Sequence, residues 1–287
     1  MKLGTTFDTA QYWTDHNVTG HKLFATADES LNYLYYRNEM YPYFSDLLPT
    51  SGMDGLVVLD FGCGPGHDLV SFNHFSRPAK TYGVDVSTSS IAEARARLAL
   101  HGFSVELLCH DVQSSPLPIP AASVDVARSA GVLQHMPNPE AGIRELRRVL
   151  KPGGRFQVMV YNADSIWLHL LVGYQRQIVD GLYPGLDKRA AFAKTTDGET
   201  CPFARCYTRE EFTKVVEPFG FKLLSFDAAI ASEEMRQLPV RWVALQDQRL
   251  DREGRLFLNA LRFNDRGMPT YNGFVAGVDG CYVFEAV

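Results

Sequence analysis

From residue 56 onward, short apolar runs alternate with longer stretches of helical periodicity. Runs rich in β-branched and aromatic residues at 56–60, 80–85, 104–109, 123–129 and 155–161 predict strands. Between them, 67–75, 89–101 and 139–150 carry apolar positions at helical spacing and predict helices. The middle helix, Ile91-Ala92-Glu93-Ala94-Arg95-Ala96-Arg97-Leu98-Ala99-Leu100, is dense in strong helix formers and follows serines able to cap it. Strand and helix in alternation build a parallel sheet with right-handed crossovers. The fold class predicted is therefore α/β, a doubly wound, mostly parallel sheet with helices on both faces.

Outside that stretch the pattern changes. Tyr12, Trp13, Tyr33, Tyr35, Tyr36, Tyr41, Tyr43 and Phe44 crowd the beginning of the chain, and 27–40 reads as a helix before Pro42 interrupts it. After Tyr161 a helix is predicted over 165–179, then a loop-rich stretch through Cys206. In Tyr207-Thr208-Arg209-Glu210-Glu211-Phe212, Thr208 is the expected N-cap and Glu211 completes a capping box. Segments 221–226 and 281–286 predict further strands, giving a seven-stranded sheet. The expected organisation is a core domain over 51–287, preceded by an N-terminal helical, aromatic lid segment over 1–50. Residues 163–207 and about 230–275 decorate the core, the first as an insertion after the fifth strand.

The chemistry begins where the first strand ends. Asp60 is followed by Gly62, Gly64 and Gly66, and then by a helix. Glycines let the backbone turn sharply and approach a ligand where a Cβ would clash. A dinucleotide fingerprint, G-x-G-x-x-G, would need glycine where His67 stands, so the spacing speaks against a nicotinamide cofactor. Asp85 ends the second strand about twenty residues beyond the loop, where one carboxylate can take both hydroxyls of a ribose. Asp111 follows the third strand, on the carboxyl edge where open α/β sheets bind ligands; a loop Asp capping a backbone amide is the other reading.

Val57-Val58-Leu59-Asp60-Phe61-Gly62-Cys63-Gly64-Pro65-Gly66 resembles the first motif of class I S-adenosylmethionine-dependent methyltransferases. The resemblance continues in register through Gly83-Val84-Asp85-Val86-Ser87, His110-Asp111-Val112, Ser129-Ala130-Gly131-Val132-Leu133-Gln134-His135-Met136 and Arg148-Val149-Leu150-Lys151-Pro152-Gly153-Gly154. It implies a Rossmann-like fold and S-adenosyl-L-methionine as cofactor. Its implied cofactor-binding set is Asp60, Gly62, Gly64, Gly66, Asp85, Val86, Asp111, Val112, Ser129 and Ala130. Lys151-Pro152-Gly153-Gly154 is expected to serve structure, with Gly153 or Gly154 ending a helix.

The cofactor's methyl group arrives activated, so such a protein chiefly aligns an acceptor with it. A base helps where the acceptor must lose a proton. His135, just past the fourth strand, is the leading candidate, with packing at a helix start as an equal reading. Tyr161 and Asn162 end the fifth strand and are expected to face the substrate side, with ordinary strand-end packing as an equal reading; Tyr161 is a second catalytic candidate. Candidate substrate residues are Tyr12, Tyr36, Arg37, Gln134, Asn162, Arg205 and Tyr207, with Trp13, Asp197 and Glu199 beside them; core packing of the N-terminal aromatics and a solvated surface loop for Asp197, Glu199, Arg205 and Tyr207 are the other readings. His169, on an apolar helix, reads as a core histidine.

Composition narrows the partners. The chain has 287 residues, 46% hydrophobic, and a net charge of −5, which disfavours nucleic acid as the main partner. No run of about 18 uncharged apolar residues occurs, so no membrane span is expected. The opening residues lack the apolar run of a signal peptide, and the cysteines (Cys63, Cys109, Cys201, Cys206, Cys281) are odd in number and scattered. A cytoplasmic protein with reduced thiols is expected. Cys201 and Cys206 lack the companions of a zinc site, so no metal is expected. The resemblance therefore implies methylation of a small-molecule acceptor, a secondary metabolite or a sugar, at O, N or C; the sequence does not choose among them. The alternatives are a macromolecule methyltransferase and a cofactor-binding module without transfer. Against the first, Ser129-Ala130-Gly131 stands where an Asn-Pro-Pro-Tyr run would follow the fourth strand.

Overall fold

The computed structural model describes residues 9–17 and 20–287, so residues 1–8, 18 and 19 of the expected lid segment lie outside the described residues. The chain divides into two compact units. Unit 1 comprises Met1–Tyr35, Thr50–Phe156 and Ala286–Val287; unit 2 comprises Tyr36–Pro49 and Gln157–Glu285.

The apolar runs of the sequence form the strands of unit 1. These are β1 (Val57–Phe61), β2 (Lys80–Asp85), β3 (Glu106–Cys109), β4 (Val124–Ala130) and the first part of β5 (Leu150–Asn162). β1 is buried from Val58 to Phe61 without alternation, as expected of a central parallel strand covered on both faces. It pairs in parallel with β2 on one side and β4 on the other, with Asp60 opposite Gly83 and Arg128. β2 in turn pairs in parallel with β3, Asp85 opposite Cys109. The order β3-β2-β1-β4 reverses direction between β1 and β4, and the crevice at the carboxyl ends of these two strands is where such sheets take ligands.

The helices of unit 1 are α1 (Thr9–Asp15), most of α2 (Ala27–Glu39), α4 (His67–Phe75), α5 (Thr88–Leu100) and α6 (Pro139–Val149). α5 starts at Thr88 because the Ser87 side chain accepts from the Ser90 amide. α6 starts behind the Asn138 cap with Pro139 in its first turn. α4 and β3 close tightly on β2: a Cβ on Gly83 would stand 2.7 Å from Leu69 Cδ1 and 2.8 Å from Leu107 Cδ2. α6 ends at Val149 with an extended Leu150 as its cap, so the expected helix-ending role of Gly153 or Gly154 is corrected. Both glycines already lie in β5, where Gly153 takes φ +75°.

Unit 2 holds the later part of β5 together with β6 (Cys206–Tyr207), β7 (Phe221–Ala229) and β11 (Asp279–Ala286). Along the main sheet the order is β3-β2-β1-β4-β5-β11-β7, seven strands as expected, with the two-residue β6 as an eighth beside β5. β8 (Arg262–Phe263), β9 (Pro269–Tyr271) and β10 (Phe274–Val275) form a small antiparallel sheet that no alternating pattern in the sequence predicts. The helices are α3 (Phe44–Leu47), α7 (Lys188–Thr195), α8 (Arg209–Val216), α9 (Ser232–Gln237), α10 (Arg241–Gln246) and α11 (Arg252–Ala260). α7 interrupts the stretch expected to be loop-rich; its signal was the Asp187 side chain, which caps it at the Ala190 amide. The helix predicted over 165–179 is present at Trp167–Val179 but wound as a π-helix, closed at its end by Asp180 N–H to Gln175 O at 2.9 Å. Nothing in its apolar periodicity distinguishes that winding from an α-helix. α8 begins with the capping box expected there, Thr208 and Glu211 reciprocally bonded.

Candidate functional site

The glycine loop after β1 is shaped by three left-handed residues, Gly62 (φ +79°), Gly64 (φ +50°) and Gly66 (φ +80°). Their surroundings differ. A Cβ on Gly62 would overlap the Val132 methyls, and one on Gly66 would lie 3.2 Å from Ala94 Cβ of α5. At Gly64 nothing approaches within 4 Å of that position. Two of the glycines are thus needed for packing, while the third turns bare backbone towards open space. Backbone in that state can be approached closely by a ligand.

Asp85, at the end of β2, holds that backbone. One carboxylate oxygen accepts from the Gly64 amide at 2.8 Å and the other from the Ser87 amide at 2.8 Å. Burial pushes its carboxyl above the ordinary range, opposed by the Ser87, Gly64 and Val86 amides. Each oxygen keeps a lone pair for an incoming hydroxyl. Asp60 is buried at the end of β1. Asp111 is differently employed: its oxygens accept from the Gln113 amide at 2.9 Å and the Ser114 hydroxyl at 3.1 Å, a local turn. Val112 is buried beside it, and Val86 and Ala130 are half-buried.

Past β4 the chain turns at Gly131 (φ +76°) into a short 3-10 segment, Leu133–His135. Ser129, Gln134 and His135 are all buried. The Ser129 hydroxyl and both amide atoms of Gln134 have no hydrogen-bond partner among the described residues. Buried polar atoms in that state call for a bound group. α1 packs against this turn: Trp13 meets the His135 ring edge-on at 5.0 Å, and buried Tyr12 packs on Trp13 at 5.1 Å and stacks on His16 at 4.5 Å. α1 is moored to α5 by Ser89 Oγ donating to Thr14 O at 2.7 Å.

In unit 2 the polar groups gather at the end of β5. The Tyr161 hydroxyl donates to both oxygens of Asp197, at 2.9 and 3.0 Å. Burial and then Asp197 hold that phenol well above its usual range. Asn162 is spent locally: its amide nitrogen donates to Asp164 O and Gly277 O, and its amide oxygen accepts from Asp164 N–H. β6 runs alongside, pairing Tyr161 with Cys206 and Asn162 with Tyr207. Arg205 bonds Tyr207 and lies over the Phe203 ring at 4.7 Å. Tyr36 is exposed, whereas the neighbouring Arg37 is electrostatically coupled to Asp279. His169 is a core histidine: it stacks on Phe257 at 4.2 Å, and burial, then Lys188, drive its pKa down to about 4.

Sequence reasoning missed two carboxylates here. Glu234 is fully buried and accepts from the amides of Trp167, Ala231 and Val278 at 2.8 to 3.0 Å. Burial raises its pKa to about 8 against those bonds. Asp279 opens β11, where Asn162 N–H donates to Val278 O beside it. Burial pushes it up to about 7; Arg37 opposes the shift and Asp197 adds to it. The available signal was a lone carboxylate heading an apolar strand.

Residues 59–158 match the family model of a methyltransferase domain. The ubiquinone biosynthesis O-methyltransferase of Idiomarina loihiensis is 35% identical over 121 residues, 42% of this chain and 48% of that protein. The chain spans about half the length of the curated relatives it matches. Among solved structures, a methyltransferase complexed with the Trm112 activator of Haloferax volcanii superposes with TM-score 0.56 and 17% identity, covering 98% of this chain and 99% of that one. An S-adenosylmethionine-dependent methyltransferase of Mesorhizobium loti gives TM-score 0.53 and 16% identity over 85% and 97%. At these identities the structural likeness speaks for the fold.

Proposed function

We propose that the chain, whose residues 59–158 match a methyltransferase domain, is a class I S-adenosylmethionine-dependent methyltransferase that methylates a small-molecule acceptor by in-line displacement. The observation that carries this reading is the bare backbone at Gly64, bonded to the Asp85 carboxylate and open on its other side. Asp85 would take the ribose hydroxyls of S-adenosylmethionine. Gly62 and Gly64, with Ser129 and Ala130, would line its methionine part, and Asp60 would lie near its ammonium. Val86, Asp111 and Val112 would border the adenine, with the Asp111 carboxylate acting mainly on its own turn. When bound, the cofactor supplies an activated methyl group.

The protein's share of the chemistry is then orientation and proton removal. His135 is proposed to take the acceptor's proton, with Trp13 holding its ring in one orientation and shielding it from water. Gln134 offers a buried donor and acceptor for the acceptor molecule; Tyr161, Arg205 and Tyr207 are proposed as further acceptor contacts. An oxygen acceptor agrees with the name of the Idiomarina relative. Residues 1–50 are proposed as the lid. The test is methyl transfer from labelled S-adenosylmethionine to a panel of phenols, amines and sugars, reading both labelled product and S-adenosylhomocysteine. Acceptor-dependent release of S-adenosylhomocysteine is expected. Tight cofactor binding with no transfer to any acceptor would favour a binding module instead.

A further inference from the structure

We propose that Glu93 of α5 latches α1 as a strap across the carboxyl edge of unit 1, through Asn17 and His21, and that rising pH releases the strap to admit or discharge the ligand of that edge. That this ligand is an adenosyl cofactor rests on the function proposed above; the latch itself does not.

Two neighbouring residues of α1 reach two different strand ends. Trp13 lies on the His135 ring at 5.0 Å, just past β4, and Thr14 O accepts from Ser89 Oγ at 2.7 Å, just past β2. Between β2 and β4 in the sheet stands β1 with its glycine loop. The Ser89 hydroxyl is also 3.1 Å from Ser87 Oγ, and the Ser87 amide donates to Asp85. A ligand reaching from Asp85 towards His135 therefore lies beneath α1, and its passage requires α1 to lift.

What resists that motion is concentrated on one side chain. Glu93 follows Ser89 by four residues, so both share a face of α5. One Glu93 oxygen accepts from Asn17 Nδ2 and the other lies against His21 Nδ1, each at 2.7 Å. Asn17 Oδ1 accepts from the His21 amide at 2.9 Å, which joins the two grips into one. His21 takes φ +61°, a conformation that a non-glycine residue keeps only where its contacts hold it. The Glu93 side chain is 10% exposed, so the grip is largely shielded on the α5 side.

The imidazole makes the grip sensitive to pH. Its Nδ1 faces the Glu93 carboxylate and its Nε2 lies 3.1 Å from Asp15 O. Both partners only accept, so both ring nitrogens must donate, which only the imidazolium does. The bond to Glu93, then that to Asp15, holds the His21 pKa above its ordinary 6.5, and the charge of the Asp15 carboxylate acts the same way. That carboxylate is itself bonded to Gln11 Nε2, at 3.0 and 2.9 Å. The nearby cations Lys22 and Arg97 lie over the Phe24 ring, and His16 stacks on Tyr12. A closed strap thus binds the proton more tightly than an open one. Its hold is complete below the ordinary imidazole value and is lost as pH rises through the raised one.

The test is hydrogen exchange of the full chain without ligand, read over residues 9–17 at about pH 6 and about pH 9 and corrected for the intrinsic rate. Exchange there is expected to quicken about threefold at the higher pH, the scale of an exposed ion pair. His21→Gln and Glu93→Gln should each raise it already at about pH 6 and remove the pH response. Equal protection of the wild-type strap at both pH values would overturn the proposal without recourse to a variant. A pH response that survives in His21→Gln would also overturn it, because it would belong to another group such as His16. Stopped-flow release of S-adenosylhomocysteine gives the second reading, expected to quicken about threefold over the same range and to lose that response in His21→Gln. If exchange responds to pH and S-adenosylhomocysteine does not bind, the latch stands and the proposed function fails. If S-adenosylhomocysteine binds and leaves at one rate at both pH values, the strap does not govern the site and the proposal is overturned.

Discussion

Gly62 and Gly64 share a left-handed backbone and differ in what lies above them. Gly62→Ala must both accept φ +79° and displace Val132, so a loss of about 2 kcal/mol or more is expected in denaturant unfolding. Gly64→Ala meets no protein atom and should cost about 1 kcal/mol from backbone strain, while weakening cofactor binding at least about tenfold. The reverse ranking, with Gly62→Ala sparing stability, would remove the division of labour drawn for the loop. His135→Ala should abolish turnover with cofactor affinity preserved; wild-type turnover would leave His135 as packing beneath Trp13. The loop was legible in the sequence because three alternating glycines between a strand and a helix free a backbone turn to meet a ligand. Asp279 was not, because its burial and its neighbours Arg37 and Asp197 come from segments far apart in the chain, and spacing carries no record of that.

Elements with a local cause were the readable ones. The Thr208–Glu211 box announces α8 because both partners lie within one turn. Thr208→Ala should cost about 1 kcal/mol, seen as a lower unfolding midpoint, and no change would mean α8 is held by Phe212 packing alone. The parallel strands were equally plain, since burial on both faces writes itself as continuous apolar runs. α7 escaped notice although the local Asp187 cap signals it, whereas the small β8–β10 sheet and the π winding of Trp167–Val179 were not readable. Their form follows from distant partners: Trp167 N–H, for example, is taken by Glu234, far along the chain. Local propensity cannot see such a contact.

Across the whole molecule, buried acids set the response to pH. Asp279 and Glu234 bind protons more tightly folded than unfolded, with pKa values of about 7 and about 8. Their contribution is complete below the ordinary carboxylate range and is lost as pH rises through those values. Asp125, Glu145, Glu211 and Asp251 are held below that range by hydrogen bonds and cationic partners, and act oppositely, losing their contribution in acid. Thermal stability should therefore peak near about pH 5 and decline towards about pH 8, and Asp279→Asn should shorten that alkaline decline. A wild-type profile flat from about pH 5 to about pH 8 would contradict the burial assigned to the two acids. The proposed function depends first on one event, capture of an adenosyl cofactor by the backbone at Gly64 and the Asp85 carboxylate. Isothermal titration of S-adenosylhomocysteine into the wild-type chain and into Asp85→Ala tests it most directly. Saturable one-site binding that weakens at least about tenfold in the variant is expected; no binding to the wild type, or equal affinity for both proteins, would contradict it.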